Sequence, residues 1–326
     1  MHVAFLCDPP DAVLVSKPLW AAEGFRVRGH DVRMVHDLAS LRQADAECDL
    51  LIFDHKSAGV SRATLAQLAH QPRRATWVQW WRDLVALDPA KPLAEQEYIK
   101  TFGELMRGMD RVFVKERWLL AEYQALGIRA AWLDQACPAQ MPECEHRQSP
   151  EWDVLVLGST GYDQRRRDAH ALASAGFRVL WAGMAGGDLV PDGVEWHPWV
   201  HPLKLPELVS RCGVVLGADW RSDLPGYTSD RTYLACGMGA CYVARYSGCG
   251  SELPPARYAP QAAVAAWIYE HTDELIEIVR HALADVAERR RRGAWSRRLV
   301  MQRHTYAHRT DEILQMIASH GSRGTP

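Results

Sequence analysis

Two stretches of this chain combine the residue types that hold anions. In VLVLGSTGYDQRRRDAH, residues 154–170, an apolar run ends in Gly-Ser-Thr-Gly and a polar segment with Arg165, Arg166 and Arg167 begins a few residues later. Backbone N–H groups at such a turn and at a helix start receive phosphate oxygens, and an arginine adds bidentate hydrogen bonds. The spacing is neither GxGxxG nor a P-loop, because the P-loop lysine is missing. In SDRTYLACGMGACYV, residues 229–243, Thr228 or Ser229 stands as a helix N-cap. Asp230 and Arg231 fall in the first turn, and Gly237 closes the helix. Gly158, Ser159, Arg165, Arg166, Ser229, Asp230 and Arg231 therefore form the candidate anion-binding set. Taken singly, each stretch also reads as an ordinary turn beside solvated arginines. If the strands ending near Gly158 and Trp220 are neighbours, both helix starts point at one anion, and a diphosphate fits two arginine groups.

Proton-transfer chemistry has fewer candidates. CDPPDAVLVSKPLW (7–20), FDHKSAG (53–59) and WWRDL (80–84) set Asp8, Asp11, His55 and Asp83 just after apolar runs. A carboxylate or imidazole there is placed to take a proton from a hydroxyl. Asp83, Asp11 and His55 are the candidate bases, with helix capping and turn formation as the competing roles. The chain has no HExxH, His-rich cluster or DxD pair, so no metal is expected. The basic run ERRRRGAWSRRLVMQRH (288–304) reads either as a solvated helix face or, with arginines 165–167, as a contact for a polyanion such as DNA.

These residues need a scaffold, and the hydrophobic pattern describes one. Short apolar runs at 2–7, 31–36, 49–55, 74–81, 110–116 and 130–136 alternate with helical segments at 19–28, 64–71 and 119–127. Strands alternating with helices argue for a parallel sheet covered on both faces. The proline-rich PAQMPECEHRQSP (138–150) interrupts the pattern, which then restarts. The second set has strands at 152–159, 177–183, 194–200, 214–220 and 240–246, and helices at 165–176 and 205–213. The expected organisation is a first α/β domain over 1–138, a linker over 139–151 and a second α/β domain over 152–302. A terminal helix follows at 303–320, with a disordered tail at 321–326. Residues 273–320 read as helix almost throughout, with Gly293 and Thr305 as breaks.

Composition narrows the classes. The 326 residues are 48% hydrophobic and 24% charged, with a formal net charge of −2. Two domains are the default at that size, and no global charge pulls toward nucleic acid or membrane. No apolar run approaches the roughly 20 residues of a spanning helix. MHVAFLCDPPD reads as a first strand and not as a signal peptide. Eight cysteines are scattered without zinc spacing, so reduced, mostly buried thiols and a cytoplasmic location are expected.

The run SDRTYLACGMGACYV followed by HTYAHRTDEIL (304–314) resembles the glycosyltransferases of the GT-B fold, in particular the group-1 type with a spore-maturation-protein-like C-terminal domain. GFRVRGHDV (24–32), RVFVKERWLLAEYQALGIRAAWLDQACP (111–138) and WDVLVLGS (152–159) are similar to further parts of that family, so the likeness spans nearly the whole chain. It implies two Rossmann-like doubly wound domains with a C-terminal helix crossing back to the first. The second domain would take a nucleotide-sugar, UDP-linked by preference, and the first an acceptor, with the chemistry in the cleft between them. It implies that Arg231, the Ser229–Asp230 helix start and the Gly158–Ser159 turn face the diphosphate, and that no metal or other cofactor is needed. Where the family carries a glutamate in this helix, this chain has Thr232, Tyr233 and Leu234, so the likeness argues for a diphosphate more firmly than for a nucleoside. The acceptor is left open: the basic stretches 165–167 and 289–303 suit a hydroxymethylated base in DNA, alongside polysaccharide, protein or a small molecule. The competing expectations are a nucleotide-sugar epimerase of the same fold and a non-catalytic nucleotide- or sugar-binding protein.

Overall fold

The computed structural model describes residues 1–7, 16–54, 59–88, 90–183, 189–217, 228–245 and 266–321. The chain divides into two compact units, Met1–Gln135 with Tyr306–Pro326, and Ala136–Thr305. Asp11 and His55 lie outside the described residues, as do Cys249 and the tail from residue 322.

The first unit is built on six parallel strands: β1 (His2–Leu6), β2 (Asp31–Val35), β3 (Leu50–Asp54), β4 (Thr76–Trp80), β5 (Arg111–Val114) and β6 (Ala130–Trp132). Their order is β2-β1-β3-β4-β5-β6. Helices α1 (Ser16–Val27), α2 (Leu38–Glu47), α3 (Arg62–Ala69), α4 (Glu97–Gly108) and α5 (Leu120–Ala125) connect them. Parallel strands joined by crossover helices are covered on both faces, which is why β3 is apolar along almost its whole length. Phe53, Trp77, Trp81, Met106 and Tyr123 pack in one core layer. The tryptophan cluster is therefore core: Trp77, Trp80 and Trp81 are all buried. Helix α2 is not legible in the sequence, because only Leu41 and Ala44 are buried on it. A capping box starts it, with Asp37 accepting the Ser40 N–H at 2.7 Å.

The second unit repeats the architecture: β7 (Trp152–Leu157), α6 (Asp163–Ser174), β8 (Val179–Gly183), β9 (Val194–Pro198), α7 (Leu205–Val209), β10 (Cys212–Gly217), α8 (Asp230–Gly237), β11 (Tyr242–Arg245), β12 (Trp267–Tyr269), α9 (Thr272–Ala284) and α10 (Val286–Arg303). The order β12-β11-β10-β7-β8-β9 puts β7 beside both β8 and β10. The strand order thus reverses at β7, and the carboxyl ends of β7 and β10 flank a topological switch point. The three-residue β12 was too short to show as a pattern.

Gly293 does not break the terminal helical region as expected. Helix α10 runs through it; one break falls at Asp285, whose side chain accepts the Glu288 N–H, and the other at His304–Thr305, where Thr305 is the expected interruption. Gly293 is small because the chain passes close by. A Cβ there would lie 2.6 Å from His146 Nε2 and overlap the Gly239 carbonyl. The segment read as a linker is strapped to α10 and α8: Cys144 N–H donates to the Met238 carbonyl at 2.8 Å. Arg289, Arg290 and Arg297 donate to the carbonyls of Arg147, His146 and Met141 at 2.9, 3.0 and 3.1 Å.

The last helix, α11 (Tyr306–Gly321), belongs to the first unit. It lies against α1, where a Cβ on Gly24 would sit 2.6 Å from the Tyr306 carbonyl group. The Tyr306 ring packs 6.3 Å from Trp20 and 5.9 Å from Trp80. Arg28 Nε donates to Asp311 at 2.9 Å, and Arg309 Nε donates to the carbonyls of Asp134 and Gln135 at 3.2 and 3.1 Å.

His146 gives this packing a pH dependence. Its Nε2–H donates to the Gly239 carbonyl at 2.8 Å. Burial holds its pKa below the ordinary 6.5, which the Gly239 bond opposes and the nearby Arg289 and Arg290 reinforce. The unfolded chain then binds more protons than the folded one as pH falls below 6.5, so stability is lost on the acid side of that value. Urea unfolding between about pH 7 and about pH 5 is expected to show a declining midpoint that flattens in His146→Gln, which keeps a donor for Gly239 and cannot take the proton.

Candidate active site

At the carboxyl end of β7 the backbone is pinned around Gly158. Its N–H donates to the Ala182 carbonyl at 2.9 Å, and its own carbonyl accepts Trp181 Nε1–H at 2.7 Å. Its φ of +112° is a conformation that L side chains rarely adopt. Gly183 must also lack a side chain, since a Cβ there would overlap the Gly158 carbonyl. Beyond the turn, Ser159 Oγ accepts the Gly161 N–H at 3.2 Å, and the Thr160 hydroxyl is fully buried without a hydrogen-bond partner among the described residues.

Helix α6 turns one arginine back onto this loop. Arg165, 1% exposed, donates from Nη1 to the Ser159 carbonyl at 2.6 Å and lies 4.9 Å over the Tyr162 ring. Its neighbours act locally. Arg166 donates to the Thr160 carbonyl at 2.7 Å and pairs with Asp163. Arg167 donates to Gln164 Oε1 at 2.6 Å.

The second arginine arrives from α8. Ser229 holds the N-cap position with extended backbone, yet its side chain makes no capping bond to the helix and instead accepts Arg231 Nη1–H at 3.2 Å. Asp230 is half-buried in the first turn. Thr232 is turned inward, its hydroxyl 2.9 Å from the Tyr242 hydroxyl, and Gly217 leaves the space that the Tyr242 ring occupies. Tyr233 is core, 5.6 Å ring to ring from His304. The three residues standing where a glutamate was looked for are thus buried, and their burial orients α8.

These elements meet at Gly158. A Cβ built there would lie 2.9 Å from Arg231 Nε, 3.1 Å from Arg231 Nη2 and 3.0 Å from Arg165 Nη1. The two guanidinium groups consequently approach within about 6 Å of one another over the unsubstituted face of the glycine. Like charges that close repel, and an anion between them removes the repulsion. The arrangement can accept several oxygens of one phosphate or diphosphate through fixed, charge-assisted donors.

In the first unit, Asp83 follows β4 with its side chain about half exposed and Lys17 Nζ 3.9 Å away. The loop that carries it is held from below. Fully buried Glu116 accepts the N–H groups of Val85 and of Ala86, the latter at 3.1 Å, and Gln96 accepts those of Leu87 and Asp88 at 3.0 and 3.1 Å. Burial keeps the Glu116 carboxyl above the usual range, against those same backbone donors. Arg82 and Asp54 form a buried ion pair at 2.6 Å. None of Asp54, Arg82 or Glu116 was singled out from the sequence. The glutamate of VKE, at the end of one strand, and the arginine of WWRDL, after another, carry no local sign of burial until the loops above them are known.

The basic run is largely used inside the second unit. Besides the three carbonyl contacts above, Arg291 and Arg292 pair with Glu288 at 2.6 and 2.7 Å, and Arg292 lies 4.0 Å over the Trp267 ring. Arg297 also reaches Glu143 at 3.3 Å. Among the described residues no group of three or more His, Cys, Asp or Glu is placed to hold a metal ion, and no helix is long and apolar enough to cross a membrane. The seven described cysteines are buried.

Two parallel, doubly wound sheets, with the final helix returned to the first, are the architecture of the GT-B glycosyltransferases. The chain belongs to the glycosyl transferase-like family, whose model matches residues 143–315, and it is a glycosyltransferase by that membership. The fold is shared with sucrose-phosphate synthase from Thermosynechococcus elongatus, at 13% identity and a TM-score of 0.68 over 99% of this chain and 100% of that one. It is shared with Anabaena HepE in complex with UDP, at 14% identity and a TM-score of 0.64 over 98% and 100%. It is also shared with the DNA modifying enzyme β-glucosyltransferase, solved with and without its substrate uridine diphosphoglucose, at 12% identity and a TM-score of 0.65 over 98% and 100%. A search of curated protein sequences returns no match.

A side chain at Gly158 tests the local geometry. Gly158→Ala forces a methyl group against both guanidinium groups at an unfavourable φ, and pyrophosphate affinity measured calorimetrically is expected to fall by about tenfold or more.

Proposed function

We propose that the enzyme moves a sugar from a nucleoside-diphosphate sugar, UDP-linked by preference, to an acceptor hydroxyl, with the donor diphosphate seated at Gly158 between Arg165 and Arg231. The observation that carries this reading is the convergence of two guanidinium groups from separate helices on the bare face of one glycine. Ser159, Arg166, Ser229 and Asp230 shape the two turns around it. The preference for UDP draws on structures of the same fold that contain UDP or uridine diphosphoglucose.

In the transfer, the bond from the anomeric carbon to the diphosphate oxygen breaks and a bond from that carbon to the acceptor oxygen forms. The electron pair leaves with the nucleoside diphosphate, and the acceptor proton passes to a base. Two fixed cations facing the leaving diphosphate stabilise the charge that develops on it, so the chemistry is proposed to run without a metal. Asp83 is the proposed proton acceptor. It is a half-exposed carboxylate just after β4, at the start of the loop held by Glu116 and Gln96, whereas Asp54 is tied to Arg82.

The acceptor class is open to direct assay. A hydroxymethylated base in DNA is the acceptor suggested by the fold shared with the DNA-modifying glucosyltransferase, while the arginines of 289–297 are bound within their own unit. UDP release from UDP-glucose, with hydroxymethylcytosine DNA, unmodified DNA, polysaccharide and small hydroxyl compounds in turn, decides among them.

Thermal shift and calorimetry across UDP-, GDP-, ADP- and CMP-linked sugars test the donor site. UDP and its sugar conjugates are expected to bind, and Arg231→Ala or Arg165→Ala to weaken them by about 10- to 100-fold. The reading fails if no nucleotide shifts the melting temperature and the arginine variants bind like the parent. For Asp83→Asn, transfer is expected to drop by about 10²- to 10⁴-fold with the donor Kd unchanged.

A further inference from the structure

Helix α6 carries Arg165, and the Tyr162 side chain at its N-cap makes no capping bond to the helix, so contacts further along bear on its position. One turn beyond Arg165, Asp168 is fully buried, which is rare for a carboxylate unless several donors meet it. Here they do. Gln164 Nε2 donates to Asp168 Oδ1 at 2.9 Å, and Arg245 Nη1 lies 3.2 and 3.3 Å from the two oxygens. The Tyr269 hydroxyl donates to Oδ2 at 2.9 Å, and Thr272 Oγ1 to Oδ1 at 3.3 Å. Burial, reinforced by the adjacent Asp168 charge, pushes the Tyr269 hydroxyl well above its ordinary range, so it remains a donor.

The origins of these donors matter more than their number. Arg245 ends β11, the strand that directly follows α8, and α8 carries Arg231. Tyr269 ends the neighbouring β12, and Thr272 begins α9. The Asp168–Arg245 pair is therefore a strut between the two segments that bear the guanidinium groups meeting at Gly158. A buried ion pair is a poor source of net stability, because desolvation offsets its attraction. It does fix geometry, since its length is set by contact and several donors resist any slide of the helix.

We infer that Asp168, held by Arg245 and Tyr269, is a positioning residue that sets the spacing of Arg165 and Arg231 and so tunes the site to a diphosphate. The inference rests on the donor-site reading above. Asp168 itself touches no ligand in this scheme and acts through α6. Without the strut α6 is free to shift, Arg165 no longer opposes Arg231 across Gly158, and a ligand that bridges both cations loses more than one that uses either alone.

The test is a binding cycle with UDP and inorganic pyrophosphate as probes, at a temperature well below the melting point of every variant. Asp168→Asn is expected to weaken both probes by about tenfold, and to cause no further loss in an Arg165→Ala background. A residue that merely stabilises the fold would lower the melting temperature and leave the Kd unchanged, or weaken both backgrounds equally; either result overturns the inference. Tyr269→Phe removes one donor while keeping the ring, and is expected to weaken pyrophosphate about two- to threefold. Should Asp168→Asn fail to fold, unchanged affinity in Tyr269→Phe is the overturning result. If Arg165→Ala and Arg231→Ala themselves bind like the parent, the donor-site reading is what has failed.

Discussion

The second unit depends on a missing side chain. At Gly158 the strand ends, the backbone turns with a positive φ, and a bare Cα face is left against which two guanidinium groups lie. Each surrounding feature protects that face. Trp181 and Ala182 fix the peptide on either side of it, Gly183 clears the carbonyl, and Arg165 folds back onto the Ser159 carbonyl. Two cations held this close are unfavourable in themselves, so a fold that brings them together must supply rigid supports. The parallel sheet does so, because β7 lies between β8 and β10 and all three end on the same side.

Support comes through polar groups that have been taken out of water. Asp168, Thr232 with Tyr242, and Arg289 are buried, and each finds partners on a different element. Such groups contribute less to stability than an apolar side chain of the same size, but their hydrogen bonds are directional and short. The elements they join are therefore held in one relative position. The same logic governs the basic helix α10. Its arginines end on carbonyls of the 141–147 segment and on Glu288, so a run that looks like a surface for polyanions is in good part internal fastening.

The first unit uses different groups for a similar end. Glu116 and Gln96 take up the N–H groups of residues 85–88, which follow Asp83 on the loop after β4. A buried carboxylate that accepts two backbone donors can be replaced by an amide oxygen only at the expense of finding a partner for the new N–H group. The unit is closed by a helix from the other end of the chain, seated on α1 through Gly24 and locked by Arg309 to carbonyls at the end of the β6 segment.

Much of the scaffold was legible because it rests on local rules. Apolar runs such as LLIF and VLVL, spaced by helical segments, call for a buried parallel sheet, and the two arginines beside glycine turns single out the candidate site. What failed were elements without a local signature. Helix α2 buries only two residues, β12 has three, and Gly293 reads as a breaker although a crossing chain requires it inside a helix. The residues that hold the site were also invisible: Asp168 sits in RRRDAH, a stretch polar enough to pass for a solvated face, and Glu116 in KE at a strand end. By itself the sequence determined the periodicities, the places where a side chain is absent and the charges available near them, since these depend only on neighbours along the chain. Tertiary structure alone decided which arginines meet and which carboxylates are buried, because β7 and β10 become neighbours across some sixty residues and burial is a property of everything that packs around a group.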